Sequence, residues 1–242
     1  MPVNNRSLAQ DGFQLRNAAA IIVAAGQSSR MGGTDKVFMQ LHGSTVLSFV
    51  LDKFEAAPSI RNVVLVVRKE RRKLAREVVD SHGFRKVSKI CIGGERRQDS
   101  VRNGLAKLGS YKWVVIHDAA RPCLTKDLIE NGIDEAINWG SAVPAIPLTD
   151  TIKIASNSNQ VEKTLDRTKL RAAQTPQIFQ LEDLQSAFTK IDQTVTDEAE
   201  LMELAGFNVH LYEGLYSNIK ITTAEDVAFV HNILSNGSES RL

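Results

Sequence analysis

The sequence has few cysteines and almost no excess charge. Cys91 and Cys123 are the only cysteines among 242 residues, and neither belongs to a paired metal-ligand spacing. A disulfide framework or a zinc site is therefore not expected. Thirty basic and 28 acidic residues leave a formal net charge of +2, which is too small for the footprint of a nucleic-acid-binding protein. These properties favour a protein of the reducing cytoplasm whose cations act locally.

Long apolar runs are also missing. No stretch approaches the roughly 20 apolar residues of a membrane span, and residues 1–17 are polar without the apolar core of a signal peptide. We expect residues 1–17 to form a disordered N-terminal tail and residues 235–242 a C-terminal tail. The hydrophobic content of 43% is enough for a single α/β domain over residues 18–234.

Short apolar segments alternate with amphipathic helices along the first 150 residues. The predicted strands are 19–25, 62–67, 89–92, 113–117 and 142–146, and the predicted helices lie near 45–56, 69–80, 98–108 and 126–139. This succession predicts an α/β fold, a Rossmann-like and mostly parallel twisted sheet with helices on both faces.

The alternation breaks between residues 147 and 171. Two short β-like runs, 151–154 and 161–165, are joined by a polar link, which predicts a hairpin arm. A lone two-stranded hairpin is only marginally stable in water, so such an arm often packs against a second subunit. A surface insertion is the alternative. Beyond the arm, the sequence predicts helices near 181–189, 197–204 and 224–234 and a strand at 208–212.

The first predicted strand leads directly into a glycine turn with two cations beyond it. The unbroken apolar run 19–25 is typical of a central parallel strand, and ligands bind at the carboxyl end of such strands. Gly26 allows close approach of the backbone, and Arg30 and Lys36 add the positive charge that a triphosphate requires. The P-loop and dinucleotide fingerprints are both missing. The loop therefore predicts a nucleoside triphosphate site of another type, with a plain turn and solvated cations as the alternative.

A glycine pair follows the third predicted strand. Gly94 leads into a helix start whose first turn carries Arg97 and Ser100. Helix N-termini attract anions, so this turn is a candidate binding loop. An ordinary turn with a charged cap is the alternative.

Two further polar clusters lie where the same edge of the sheet is expected. Asp118 and Arg121 belong to the segment H-D-A-A-R-P after the strand 113–117, and they could hold a ribose hydroxyl, a cation or an acidic substrate. Lys220 lies in an apolar setting, where a lysine is unfavourable unless it meets an anion. A structural salt bridge and a lysine that reaches solvent are the respective alternatives.

The motifs occur in a fixed order along the chain. They are A-A-G-x-x-x-R-M-G followed by a lysine, G-G-x-x-R-x-x-S-V, H-D-A-A-R-P, D-T-I-K, L-x-R, T-P-Q, T-D-E and N-I-K. The ordered set resembles the 2-C-methyl-D-erythritol 4-phosphate cytidylyltransferase family over about residues 18–234. The resemblance implies transfer of CMP from CTP to that polyol phosphate, with release of pyrophosphate, in the non-mevalonate isoprenoid pathway. It also implies Mg²⁺ held mainly through the CTP phosphates.

The resemblance further implies a cytoplasmic homodimer in which the arm of one subunit helps to cover the active site of the other. Two alternatives remain. Ribitol 5-phosphate cytidylyltransferases look similar in the same loops, so the acceptor could be another polyol phosphate. A nucleotide-binding regulator that has lost turnover would belong to a different functional class, although the full set of cations argues against it.

Carried over residue by residue, the resemblance implies two groups of site residues and no protein ligand to a metal. The CTP site would comprise Ala24, Ala25, Gly26, Gly94, Glu95, Arg97, Ser100, Asp118 and Ala119, with Arg30, Lys36 and Lys220 as catalytic cations. The sugar-phosphate pocket would comprise Arg121, Thr151, Arg167, Thr175 and Thr196, with Thr151 and Arg167 supplied by the partner subunit.

Two positions depart from the family pattern. The lysine of the first loop usually lies in Pro-Lys-Gln, whereas this chain has Asp35, Lys36 and Val37, and Glu95 stands where aspartate is common.

Overall fold

An eight-stranded sheet organises the part of the chain that the computed structural model describes, residues 15–26 and 35–239. Along the chain the strands are β1 (Ala18–Ala24), β2 (Gln40–Leu41), β3 (Ser44–Thr45), β4 (Ile60–Val67), β5 (Val87–Ile92), β6 (Trp113–Asp118), β7 (Ser141–Pro147), β8 (Lys153–Ala155), β9 (Val161–Thr164), β10 (Arg171–Ala173), β11 (Gln177–Gln180) and β12 (Leu211–Glu213). The order in the main sheet is β10-β7-β11-β6-β1-β4-β5, and β12 pairs with β7.

Seven α-helices lie in the described residues. They are α1 (Val46–Ala56), α2 (Arg72–His82), α3 (Arg97–Leu105), α4 (Lys126–Trp139), α5 (Leu181–Lys190), α6 (Glu198–Leu204) and α7 (Ala224–Glu239). Most of the predicted helices and strands are present with small shifts at their ends. Among the described residues, no helix is both long and apolar enough to cross a membrane.

Strand β1 lies at the centre of the sheet. It pairs in parallel with β4 on one side and β6 on the other. Because successive side chains of a strand point to opposite faces, Ala20 and Ile22 pack in the cluster that contains α1, α2 and α4, whereas Ile21 packs against α3. The prediction of a sheet with helices on both faces is confirmed, and it explains why β1 is a continuous apolar run.

The sequence pattern did not predict β10 and β11. Strand β11 lies between β6 and β7 and is antiparallel to both, so β7 does not continue the parallel series as a direct neighbour of β6. With four residues, β11 is too short to show a period, although Ile178 and Phe179 at its centre are fully buried. The sheet is therefore mixed at one side and parallel across β6, β1, β4 and β5.

The predicted hairpin between residues 147 and 171 is present. Strands β8 and β9 pair with each other in antiparallel register, and all seven of their residues are exposed. In the described chain they form a separate two-stranded sheet.

Both predicted tails are shorter than expected where the structure describes them. Helix α7 runs to Glu239 rather than ending at residue 234. At the other end, Arg16 forms ion pairs with Glu130 (2.8 Å) and Asp134 of α4. Residues 1–14 and 240–242 lie outside the described residues.

Candidate active site

A pocket lies at the carboxyl edge of the parallel part of the sheet. Strands β6, β1, β4 and β5 are parallel neighbours, so the segments that follow them meet at one edge. The pocket is lined by Val23, Ala24, Ala25, Gly26, Lys36, Val37, Arg68, Gly94, Glu95, Arg96, Arg97, Ser100, Asp118, Ala120, Lys220 and Thr222. It therefore unites segments that are far apart in the sequence.

Most of the residues predicted for the CTP site meet in this pocket. Those that line it are Ala24, Ala25, Gly26, Lys36, Gly94, Glu95, Arg97, Ser100, Asp118 and Lys220. Ala119 is fully buried behind it and donates its N–H to the carbonyl of Val23 at 3.0 Å. Arg30 lies outside the described residues.

The glycine loop is shaped by a tight fold-back onto helix α3. The N–H of Gly94 donates to Ser100 Oγ at 3.1 Å, and the Asp99 carboxylate accepts from the Arg96 N–H at 3.1 Å. A Cβ atom added to Gly94 would lie 2.4 Å from the Cβ of Asp99, which is closer than any side chain tolerates. Glycine is thus required where the backbone faces the pocket.

We expect Gly94→Ala to raise the KM for CTP at least about tenfold, because the loop must move away from Asp99 and break the bond to Ser100. Steady-state pyrophosphate release at varied CTP measures the effect. Gly109→Ala is the matched control, since its added Cβ would meet nothing closer than a Tyr111 carbon at 3.8 Å. Equal KM values for the two variants would show that the loop does not need glycine.

Four charged side chains form a chain of alternating sign from the core to the pocket. Arg97 Nη1 donates to both oxygens of Glu198, at 2.8 and 2.7 Å, and Arg97 Nε donates to Asp118 Oδ1 at 3.0 Å. Lys220 Nζ donates to the other oxygen of Asp118 at 2.6 Å. Each carboxylate is compensated by a cation, as buried charges require.

Burial and neighbouring charges shift the pKa values of this chain in predictable directions. Burial opposes ionisation of Asp118, but the charges of Arg97 and Lys220 outweigh it and hold the pKa of that carboxyl well below its usual range. Burial raises the pKa of the fully buried Glu198 carboxyl, while the contact with Arg97 acts in the opposite direction. Asp118 is therefore a fixed anion that can orient Lys220 at the edge of the pocket.

The segments that carry Asp118 and Lys220 are tied together behind the pocket. Arg121 Nη1 donates to the carbonyl of Asn218 at 2.7 Å, and the Ile221 N–H donates to the carbonyl of Ala120 at 2.8 Å. These bonds place the N-I-K segment beside the strand β6 exit. The apolar residues around Lys220 thus belong to a segment that is held in place beside Asp118.

Comparison with known proteins identifies the family. The family model for 2-C-methyl-D-erythritol 4-phosphate cytidylyltransferase matches residues 18–236. The chain belongs to this family. A Dehalococcoides mccartyi protein of that name is 46% identical over 225 residues, which are 93% of this chain and 99% of that protein. A Clostridium botulinum protein of the same name is 42% identical over 221 residues, covering 89% and 96% of the two chains.

A solved structure agrees with the sequence relatives. The crystal structure of 4-diphosphocytidyl-2C-methyl-D-erythritol synthase from Anaerococcus prevotii superimposes with a TM-score of 0.81 at 27% identity, covering 93% of this chain and 99% of that chain. The expected fold is confirmed. The expected activity, transfer of the cytidylyl group of CTP to 2-C-methyl-D-erythritol 4-phosphate in isoprenoid biosynthesis, is confirmed as well.

None of the five residues predicted for the sugar phosphate of this cytidylyltransferase lines the pocket. Arg121 and Thr175 lie behind the pocket; Thr151 and Arg167 lie beside the exposed hairpin, where Arg167 donates to the carbonyl of Thr149. The hydroxyl and N–H of Thr196 both bond to Glu200, at 2.8 and 2.6 Å. Their assignment to an acceptor site stays a prediction.

Thr175 is hydrogen-bonded to the last two residues of strand β6. Its hydroxyl is buried and lies 3.0 Å from His117 Nδ1, and it accepts from the Asp118 N–H at 3.2 Å. His117 Nε2 lies 3.3 Å from the Arg121 carbonyl, which can only accept. Nε2 therefore carries the proton of a neutral imidazole, and Nδ1 accepts from the Thr175 hydroxyl.

Burial lowers the pKa of His117 from 6.5 to about 3. As the pH falls below about 6.5, His117 takes up a proton in the unfolded chain but stays neutral in the folded chain. The unfolding free energy is therefore unaffected by this residue above that pH and decreases below it. We expect this residue to remove about 3 kcal/mol of unfolding free energy between pH 7 and pH 4. Urea unfolding followed by tryptophan fluorescence measures the slope, and His117→Gln should show a shallower one. An unfolding free energy that depends on pH equally in the wild-type protein and in His117→Gln would contradict this.

Six pocket-lining residues were missed from the sequence: Val23, Val37, Arg68, Arg96, Ala120 and Thr222. Arg68 follows β4 directly, and the rule that located the loops after β1, β5 and β6 applies equally to it. Arg68 was not recognised as a site residue because it is the first of a run of basic residues that is typical of a solvated helix face.

Proposed function

We propose that this pocket is where the enzyme transfers the cytidylyl group of CTP to 2-C-methyl-D-erythritol 4-phosphate, with Lys36 and Lys220 as catalytic cations. The observation that carries the proposal is their convergence on one pocket with the glycine loops that follow β1 and β5. Backbone N–H groups and fixed cations at the carboxyl edge of a parallel sheet suit a triphosphate. Arg30, predicted for the same role, is part of the proposal on sequence grounds alone.

The reaction joins two anions. A phosphate oxygen of the acceptor attacks the α-phosphorus of CTP in line; the new P–O bond forms as the bond to the bridging oxygen of pyrophosphate breaks, and that oxygen keeps the electron pair. The attacking phosphate is already ionised, so no general base is needed. Lys36 and Lys220 reduce the repulsion between the anions and stabilise charge that develops in the transition state.

The donor set fits Mg²⁺ that arrives with the triphosphate. Two carboxylates line the pocket, Glu95 and Asp118, and the two oxygens of Asp118 already accept from Arg97 and Lys220. In the described residues, no group of three or more His, Cys, Asp or Glu side chains could hold a metal. The ion would be held mainly by the phosphates, and it would neutralise charge on them. Turnover after chelation, titrated with Mg²⁺, measures the requirement.

The hairpin suggests a homodimer. All residues of strands β8 and β9 are exposed, including the apolar Ile154 (42% exposed) and Val161 (62% exposed). A two-stranded hairpin gains stability by packing on another surface. In a dimer, Thr151 and Arg167 beside the hairpin would reach the partner's pocket and complete the acceptor site. Light scattering tests the assembly, and a particle of 26.7 kDa at assay concentration would contradict it.

We also place the enzyme in the cytoplasm. Cys91 and Cys123 form no disulfide, and burial raises the pKa of the Cys123 thiol to about 11, which suits a stable thiol in a reducing compartment. Cell fractionation of the producing organism tests this, and recovery with a membrane or secreted fraction would contradict it.

The acceptor is tested directly by pyrophosphate release. CTP and Mg²⁺ are supplied with either 2-C-methyl-D-erythritol 4-phosphate or ribitol 5-phosphate. We expect turnover with the first alone. Turnover only with the second would keep the mechanism and change the acceptor, and CTP binding without pyrophosphate release in either case would identify a regulator.

A further inference from the structure

The residue before Lys36 is a nearly buried carboxylate. The Asp35 side chain is 8% exposed, and its Oδ2 accepts from Arg68 Nη2 at 2.6 Å and from Arg71 Nε at 2.7 Å. Its Oδ1 lies 3.3 Å from the N–H of Val37 and accepts from it. Asp35 therefore connects the two arginines that follow β4 with Val37, the residue after Lys36.

Backbone contacts complete the attachment of this turn. The Phe38 N–H donates to the Asp35 carbonyl at 3.2 Å, and the Leu47 N–H at the start of α1 donates to the Val37 carbonyl at 2.9 Å. Val37 itself is buried in the core. Lys36 thus lies between Asp35, which forms ion pairs, and Val37, whose side chain is buried in the core.

The two arginines differ in their relation to the pocket. Arg68 lines it, whereas Arg71 is not among its lining residues. Arg68 Nε is buried without a hydrogen-bond partner in the described part of the chain, so the Asp35 carboxylate is important for holding this guanidinium. Among the described residues, the side chain of Arg71 contacts the site through Asp35, so substitution of Arg71 tests what Asp35 does.

We propose that Asp35, clamped between Arg68 and Arg71, is a positioning residue that fixes the Lys36 ammonium in the pocket. The proposal rests on the proposed catalytic role of Lys36. A cation that must meet charge developing in a transition state acts only at the right place, and a displacement of about 1 Å can lower the rate a hundredfold. Two strong charge-assisted bonds to one carboxylate oxygen, together with the Val37 contact, supply that fixation.

The test compares Asp35→Asn, Arg71→Gln, the double variant and Lys36→Ala by pyrophosphate release. We expect Asp35→Asn to lower kcat about tenfold with less than a threefold change in the KM for CTP, because Lys36 remains present but is misplaced. Arg71→Gln should lower kcat in the same way. The double variant should be no slower than Asp35→Asn, since both substitutions remove the same ion pair between Asp35 and Arg71. Arg76→Gln is the control, because the ion pair of Arg76 in the described chain is with exposed Asp80, at 4.0 Å, and this variant should retain wild-type kcat.

The outcomes separate the clamp from the role of Lys36. Wild-type kcat in Asp35→Asn or Arg71→Gln, while Lys36→Ala loses turnover, would overturn the clamp alone, as would losses in the double variant that multiply. Wild-type turnover in Lys36→Ala would instead remove the catalytic role on which the clamp depends. Arg71→Gln keeps the test decisive if Asp35→Asn does not fold, because Arg71 is partly exposed (39%) and leaves the Arg68 pair in place.

Discussion

Lys220→Ala is expected to lower kcat about a hundredfold or more while changing the Kd for CTP far less. The Lys220 ammonium lies 2.6 Å from Asp118 Oδ2 at the edge of the pocket, so it is already fixed before substrate binds. A preorganised cation contributes most where charge develops, and that is the transition state rather than bound CTP. Pyrophosphate release and equilibrium CTP binding, measured on the same preparation, separate the two effects.

Lys36→Ala should behave in the same way, and Lys73→Ala is the control for both. Lys73 is 92% exposed and its nearest carboxylate oxygen, on Glu77, is 3.9 Å away, so its removal should not change kcat. Lys220→Ala leaves Asp118 paired with Arg97, and the protein should remain folded. Unchanged turnover in both Lys36→Ala and Lys220→Ala would end the assignment of these lysines as catalytic cations.

The location of the pocket could be predicted because it depends on strand order. Once β1, β5 and β6 are recognised as parallel strands, the residues after them must share one edge of the sheet. Gly26 and Gly94 lie two residues beyond β1 and β5, and Asp118 is the last residue of β6, so their convergence needs no detailed packing. The same reasoning extends to Arg68 after β4.

Side-chain partners within the site could not be predicted in this way. Arg97 was assigned to CTP from its place on the first turn of α3, yet its strongest contacts are Glu198 and Asp118. The T-D-E motif suggested Thr196, whereas the member that reaches the pocket network is Glu198. Ion pairs between residues about a hundred positions apart depend on how helices pack on the sheet, which local patterns do not encode.

The antiparallel strand β11 was missed for a related reason. Its position between β6 and β7 is set by pairing with both neighbours, and four residues carry too little periodicity to reveal it. This strand follows Thr175, whose hydroxyl accepts from the Asp118 N–H. A short strand that sequence patterns do not show thus helps to hold the carboxylate on which Lys220 depends.

Arg97→Met is expected to have the largest effect on the fold. The change leaves Glu198 fully buried without its bidentate partner, and breaking a buried ion pair on one side typically costs about 3–5 kcal/mol of unfolding free energy. Because burial already raises the pKa of Glu198, the variant should recover part of this loss as the pH falls and the carboxyl takes up a proton. Urea unfolding of the variant and of the wild-type protein at pH 7 and at pH 5 measures both effects, because the loss of stability expected from His117 is common to the two proteins.

The double variant Arg97→Met with Glu198→Gln separates stability from catalysis. Replacing both charges removes the unpaired anion, so most of the lost unfolding free energy should return. Turnover should not return, because Asp118 still lacks the bond from Arg97 Nε at 3.0 Å and keeps Lys220 as its remaining ion-pair partner in the described chain. Full activity in the double variant would show that Arg97 serves only to neutralise Glu198. Activity that stays low while stability recovers would show that the reaction requires Arg97 at the pocket beyond neutralising Glu198, either to hold Asp118 or as part of the CTP site.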